Sequence, residues 1–216
     1  MRRWLARNRW CTRNVVGRNA LGWGGGEGQT VAMGKVHEAI DERLAEWVGR
    51  QALFFVATAP ARDEGHVNLS PKGLDTFRVL GPHRVAYLDL TGSGIETIAH
   101  LRIDGRITVM FCAFEGPPRI VRFFGTGSVV ELGDPTWEAA VAPFELVPGA
   151  RAVITIDVDR IADSCGYAVP RMDLVGPRTR LVDWAESKGD DGLAEYHAAK
   201  NAESIDGLPG LGVGRD

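Results

Sequence analysis

The stretch RITVMFCAFEGPPRIVRFFGTGSVVE, residues 106–131, gives the clearest indication of the fold. Arg106–Phe114 is highly apolar and rich in branched and aromatic residues, which predicts a buried strand. Arg119–Glu131 predicts a longer strand, within which Gly125 and Gly127 mark places where a barrel strand would bend or bulge. These two segments predict a core built from β-strands.

Four further strands are predicted on either side of this stretch: Leu53–Thr58, His66–Ser70, Arg84–Leu90 and Arg151–Val158. In His66–Ser70 apolar and polar residues alternate, which places Val67 and Leu69 on one face of the strand and His66, Asn68 and Ser70 on the other. Pro71 is expected to end that strand, because proline has no amide hydrogen to donate to a neighbouring strand.

The helical patterns are fewer and lie mostly outside the strands. The predicted helices are Val36–Val48, Ser93–Ile103, Thr136–Val141 and, flanking a glycine-rich break in the tail, Thr179–Lys188 and Leu193–Ala202. A doubly wound fold would alternate strands and helices along the whole chain. We therefore predict a mainly β fold with flanking helices, a Greek-key antiparallel barrel.

The length and composition fit one globular domain with a tail. The chain has 216 residues, of which 44% are hydrophobic and 25% charged, so it can bury a core. No apolar run approaches the roughly 18–20 residues that cross a bilayer. The three cysteines, Cys11, Cys112 and Cys165, form no CxxC pair, which favours a reducing, cytoplasmic setting over a disulfide framework or a zinc site.

Residues 1–32 differ in charge from the rest of the chain. They hold six arginines and one acid, whereas the remainder holds 19 basic and 27 acidic residues. Such a leader suits a targeting peptide, a nucleic-acid-binding arm, or an extension translated from upstream of a true start at Met33. We predict a disordered or spurious extension and no nucleic-acid partner, since the acidic remainder would repel phosphate.

Two segments carry the residue types of an anion-binding site. In Thr91-Gly-Ser-Gly-Ile-Glu-Thr97, Ser93 and Glu96 have the spacing of a capping box, and the start of a helix leaves free amide groups for an anion. Asn68-Leu-Ser-Pro-Lys-Gly73 places an amide, a hydroxyl and an ammonium group at a strand end. The plainer alternatives are a capped helix after a glycine turn, and an edge strand that faces water.

Two other segments are weaker candidates. Arg122 and Phe124 share one face of a predicted strand and could hold a planar, charged cofactor, although a surface arginine above a core aromatic is the commoner arrangement. Cys165 has no readable catalytic partner, so we interpret it as a buried, inert cysteine. The five histidines fit no metal-binding spacing.

Taken in order, these segments resemble the pyridoxamine 5'-phosphate oxidase-like flavoprotein family. The resemblance rests on these stretches: Leu53–Thr58, Val67–Gly73, Val85–Asp89, Gly92–Thr97, Gly105–Phe111 and Cys165–Tyr167. Asn201–Leu208 also resembles the tail of an uncharacterised bacterial branch. The resemblance covers Met33 to about Leu208.

The resemblance implies a split β-barrel, a homodimer, and FMN bound across the subunit interface. It divides the chain into an extension (1–32), a flavin-binding barrel (33–165) and a helical tail that packs on the barrel (166–216). The positions that match the family's cofactor contacts are Asn68, Leu69, Ser70, Pro71, Lys72, Leu88, Asp89, Ser93, Gly94, Ile95 and, from the partner subunit, Arg122 and Phe124.

One departure from the family limits what the resemblance implies. Pyridoxamine phosphate oxidases carry Arg and Lys next to the phosphate-binding turn, where this chain has Gly94 and Ile95, so vitamin B6 activity is not transferred. We predict an FMN-dependent oxidoreductase of unidentified substrate. The alternatives are a non-catalytic flavin carrier or sensor, a deazaflavin- or haem-binding barrel, and a dimeric interaction domain without a cofactor.

Overall fold

The computed structural model describes residues 34–60 and 64–212, which belong to a unit spanning Met33–Asp216. The prediction made for residues 1–32 lies outside the described residues. The strands are β1 (Val36–His37), β2 (Phe54–Thr58), β3 (Asn68–Lys72), β4 (Phe77–Gly81), β5 (Arg84–Leu90), β6 (Arg106–Cys112), β7 (Ile120–Glu131) and β8 (Ala150–Ser164). The helices are α1 (Glu42–Gly49), α2 (Glu96–Leu101), α3 (Trp137–Val141) and α4 (Arg180–Lys200).

The strands form one antiparallel sheet in the order β3-β2-β6-β7-β8-β5-β4, with β1 paired to β8. The edge strands β3 and β4 do not pair with each other, so the sheet is not closed. The mainly β, antiparallel class predicted from the sequence is confirmed.

Aromatic side chains connect the edge strand β4 to β2 and β6, with which it shares no backbone pairing. The Phe77 ring of β4 lies 5.2 Å from that of Phe54 on β2 and 4.9 Å from that of Phe111 on β6, in edge-to-face geometry. Phe123 of β7 and the fully buried Tyr87 of β5 belong to the same core. Rings at these separations stabilise a core beyond the area they bury, so side chains cover the gap that backbone hydrogen bonds leave open.

Of the two glycines predicted to mark a bend or bulge in the long strand, Gly125 lies at an irregularity and Gly127 is paired in regular register. The pairing of β7 with β8 shifts register between Phe124 and Gly125. A side chain at Gly125 would overlap the backbone carbonyl of Asp157 on β8. Glycine is therefore required here by close backbone approach.

Two local predictions were wrong, and one strand was missed. The first helix does not begin at Val36, because Val36–His37 pairs with β8 and Asp41 caps α1 by accepting a hydrogen bond from the Leu44 amide at 2.8 Å. Pro71 does not end β3, since on an edge strand its missing N–H faces no neighbour. The strand β4 was not predicted.

The tail returns to the sheet after β8. Helix α4 breaks at Gly189, whose φ is 64°, as the glycine-rich interruption of the pattern predicted. Its Ala185 is buried against Gly149, and the segment after it buries Asn201 and Leu208. None of the helices in the described part of the chain is long and apolar enough to span a bilayer.

Candidate functional site

A cleft of about 210 Å³ lies between β3, the turn at residues 92–95 and β8. Its lining residues are Asn68, Ser70, Pro71, Lys72, Leu90, Gly92, Gly94, Glu96, Thr97 and Arg151. The structure therefore brings together the two polar segments that the sequence analysis singled out.

A hydrogen-bonded chain fixes the β3 wall of the cleft. The Asn68 side-chain amide donates to the hydroxyls of Thr97 at 2.9 Å and Thr58 at 3.2 Å. Ser70 donates to Asn68 Oδ1 at 2.9 Å, and Thr58 Oγ1 lies 3.0 Å from Nδ1 of the buried His100. Because every member has partners, Asn68 and Ser70 are held in one arrangement.

A buried carboxylate joins the two cations of the cleft. Asp89, 1% exposed, lies 2.6 Å from Lys72 Nζ through Oδ1 and accepts from Arg151 Nε at 2.8 Å through Oδ2. Burial alone would raise the pKa of Asp89, but the charges of Lys72 and Arg151 outweigh it and lower that pKa from its ordinary value. Asp89 is thus ionised and fixes the position of Lys72, whose side chain is 20% exposed.

Arg151 also fixes the turn. Its guanidinium, 5% exposed, donates to the carbonyls of Gly94 at 2.8 Å and Gly92 at 3.3 Å and to Asn201 Oδ1 at 2.9 Å. Asn201 in turn donates to the Gly92 carbonyl at 3.0 Å. The carbonyls of Gly92 and Gly94 therefore accept hydrogen bonds from side chains of the protein itself.

The amides of the same turn remain available. None of the described residues accepts a hydrogen bond from the backbone amides of Ser93, Gly94 or Ile95. Successive unpaired amides in a turn can bind an anion. The turn therefore has donors for a phosphate, and Lys72 lines the same cleft.

The predicted cap at Ser93 is wrong. Helix α2 begins at Glu96, its N-cap position is Ile95, and no side chain makes the cap hydrogen bond. Ser93 is exposed, whereas the Ile95 side chain is buried in the core. Only the backbone of Ile95 can therefore serve a ligand in the cleft.

Four predicted residues lie away from the cleft in this chain. Leu88 packs in a second apolar cluster, with Ala86 and Val153. Leu69, Arg122 and Phe124 alternate with cleft and core residues along β3 and β7, so they lie on the outer face of the sheet. Arg122 donates to the Ser164 hydroxyl there at 3.1 Å.

Sequence reasoning missed Arg151 and Asn201. Arg151 begins the last predicted strand as one charged residue among many, and 57 positions separate it from Gly94. Asn201 entered the sequence prediction only as the first residue of the tail segment Asn201–Leu208. Neither has a local spacing signal, because their partners come from distant parts of the chain.

The tail also holds the borders of the cleft. Thr91, beside the turn, lies 2.7 Å from His197 Nε2 of α4. Burial and the nearby Arg151 lower the pKa of His197. Asp206 accepts from the His66 amide at 2.8 Å and pairs with its ring at 2.7 Å, and these bonds lower the pKa of Asp206.

Other chemistries find little support in the described residues. No group of three or more His, Cys, Asp or Glu side chains among residues 34–60 and 64–212 could hold a metal ion. Burial raises the pKa of the Cys112 thiol, which disfavours its thiolate. Cys165 is half-buried, so its predicted full burial is wrong. The cleft lining contains no cysteine and no histidine.

Comparison with known proteins agrees with this fold. Residues 40–165 match the family model described as pyridoxamine 5'-phosphate oxidase. The pyridoxamine 5'-phosphate oxidase family protein ustO of Aspergillus flavus is 47% identical over 192 residues, which cover 81% of this chain and 77% of that protein. The chain therefore belongs to the pyridoxamine 5'-phosphate oxidase family, whose members generally bind flavin.

Two solved structures are also similar. A crystallised variant of HupZ from Group A Streptococcus is 25% identical, with a TM-score of 0.45 over 57% of this chain and 98% of that one. The FAD-binding protein of Mycobacterium smegmatis is 15% identical, with a TM-score of 0.42 over 57% of this chain and 92% of that one.

Proposed function

We propose that this protein binds FMN in the cleft between β3 and the turn at residues 92–95, and that it is an FMN-dependent oxidoreductase acting on a small molecule not yet identified. The observation that carries the proposal is that Lys72 and Gly94 line one cleft, and that the amides of Gly94 and its neighbours Ser93 and Ile95 have no acceptor among the described residues. Family membership supports a flavin as the ligand.

The donor set fits a phosphorylated flavin. The turn amides and the Lys72 ammonium suit the phosphate, while Asn68 and Ser70 offer a fixed amide and hydroxyl to the ring edge or ribityl chain. Asp89 and Arg151 act indirectly, by holding Lys72 and the turn in place.

The cleft of one chain is small for this ligand. Small-molecule sites span about 300–1,000 Å³, against about 210 Å³ here. We therefore propose a homodimer in which Arg122 and Phe124 of the partner subunit complete the site. The outer face of the sheet supports this, since Leu69, on that face, is 64% exposed.

The division of labour in such a site is simple. Bound FMN supplies the electron or hydride transfer, and the protein supplies binding, orientation and electrostatics. Asn68 and Ser70 orient polar atoms of the ligand, Lys72 balances phosphate charge, and the buried Asp89 holds Lys72 in position. With a flavin in the site, no side chain needs to act as a nucleophile.

The haem alternative is disfavoured by the two histidines that could have served as axial ligands. His66 is engaged with Asp206, and His100 is engaged with Thr58. The three cysteines of the sequence are widely spaced and form no CxxC pair, which favours a reducing compartment, and we propose the cytoplasm.

Purification from a flavin-supplied host tests the proposal. We expect flavin absorbance in the purified protein and a rise in melting temperature when FMN is added. Lys72→Ala should weaken FMN binding about tenfold in a salt-dependent way, whereas Lys188→Ala, on α4, should not. A colourless protein that FMN does not stabilise would exclude the function, and FMN reduction by NAD(P)H would separate an oxidoreductase from a carrier.

A further inference from the structure

Glu96 places a carboxylate over the turn at residues 92–95. It lines the cleft, and its Oε2 would lie 2.6 Å from a side-chain Cβ at Gly94. Its Oε1 accepts from the Ile205 amide of the tail at 3.4 Å. The side chain therefore folds back on the turn instead of extending into solvent, and glycine at position 94 leaves room for it.

Among the charged side chains that line the cleft or pair within it, Glu96 differs from the others in forming no ion pair with a described residue. Lys72 and Arg151 both pair with Asp89, which leaves one excess positive charge. Glu96 has no cation within ion-pair distance among the described residues. Its carboxylate balances that excess from a distance, next to amides that have no acceptor.

We infer that Glu96 is an internal anion that competes with the phosphate of the ligand, and that it sets the preference of this cleft between phosphorylated and unphosphorylated flavins. This inference rests on the proposed function. A phosphate carries about 1.5–2 negative charges near neutral pH, so it must bind beside Glu96 or displace it. Riboflavin lacks the phosphate, so its affinity for the cleft should not depend on the charge of Glu96.

The test compares the dissociation constants of FMN and riboflavin for the wild type and Glu96→Gln, measured by quenching of flavin fluorescence. Glutamine keeps the shape of the side chain and removes its charge. We expect FMN to bind about tenfold more tightly to Glu96→Gln, because one like charge a few ångströms from the phosphate is removed. Riboflavin should bind both proteins within about twofold.

The matched control is Glu138→Gln. Glu138 is also an acid in the first turn of a short helix, α3, but it is exposed and lies outside the cleft lining. It should leave both constants unchanged. Glu96→Ala, with its melting temperature recorded, provides a second uncharged variant if the glutamine variant does not fold.

The outcomes separate the two proposals. If the wild type binds riboflavin or FMN but Glu96→Gln does not change the ratio of their constants, Glu96 is only a helix-terminal acid and the inference is overturned, while the proposed function stands. If neither flavin binds any of the proteins, the proposed function fails and this inference fails with it.

Discussion

Asp89 is the residue on which the geometry of the cleft depends most. It is buried and is the shared acceptor of Lys72 and Arg151. Removing one member of a buried ionic network leaves the others without compensation, at a cost of about 3–5 kcal/mol. Asp89→Asn should therefore lower the free energy of unfolding by an amount of this order, measured by urea denaturation at pH 7.

The same residue predicts a dependence of stability on pH. The pKa of Asp89 is lower in the folded protein than in the unfolded chain, so its contribution is complete above the unfolded pKa and is lost as pH falls through the folded pKa. Between pH 5 and about pH 3 the wild type should lose more stability than Asp89→Asn does. Equal slopes for the two proteins would contradict the assignment of an ionised Asp89.

At the level of single residues, the sequence indicated which residue types could bind a ligand, but not which residues contact one another in the fold. Lys72 and Asn68 could be proposed because they share a short segment with the right residue types. Arg151 could not, because its partners at positions 89, 92, 94 and 201 are brought to it only by the fold. The capping spacing of Ser93 and Glu96 predicted a cap that the turn does not use.

Among the elements, β7 and β8 form the central pair of the sheet, and Gly125 lets them approach. An alanine Cβ at this position would overlap the Asp157 carbonyl, and neither backbone can move without disturbing paired strands on both sides. We expect Gly125→Ala to lower the free energy of unfolding by about 1–3 kcal/mol, as overpacking does. Thermal or chemical denaturation measures this directly.

Gly49→Ala is the matched substitution. Gly49 is the last residue of α1, has no atom within 4 Å of the place where a Cβ would lie, and does not have a positive φ. Alanine there should be neutral or stabilise by up to about 1 kcal/mol. Equal losses of stability in the two variants would show that the crowding at Gly125 is not the cause.

The elements themselves were more predictable than their borders. Continuous runs of branched and aromatic residues predicted β2, β5, β6, β7 and β8, because those strands are largely buried. The pattern failed at β1 and β4, which are short or lie at an edge. There, long-range pairing decides the structure: Val36 becomes a strand residue only because Ala162 lies beside it.

On the scale of the whole molecule, the proposed homodimer depends on the outer face of the sheet. Register places two rows of residues side by side across β3, β2, β6 and β7 on this face: Leu69, Ala57, Thr108 and Phe124 in one, and Pro71, Phe55, Met110 and Arg122 in the next. The residues that alternate with them along these strands point into the core and are fully buried, as Val56, Val109 and Phe123 show. The residues of the two rows therefore lie on the outer face of the sheet. An apolar surface of this kind, unpaired in one chain, suits a two-fold interface in which the same patch contacts itself.

Leu69→Asp tests this interface. A charge placed at the centre of an apolar contact should weaken the dimer at least about tenfold, measured by sedimentation velocity over a range of concentrations. Leu132→Asp is the control, because Leu132 is 53% exposed but lies beyond the end of β7. If Arg122 and Phe124 of the partner subunit complete the flavin site, Leu69→Asp should also weaken FMN binding in parallel with dissociation. A wild type that sediments as a monomer at every concentration, or a variant that stays dimeric, would exclude the outer face as the interface and leave the site to a single chain.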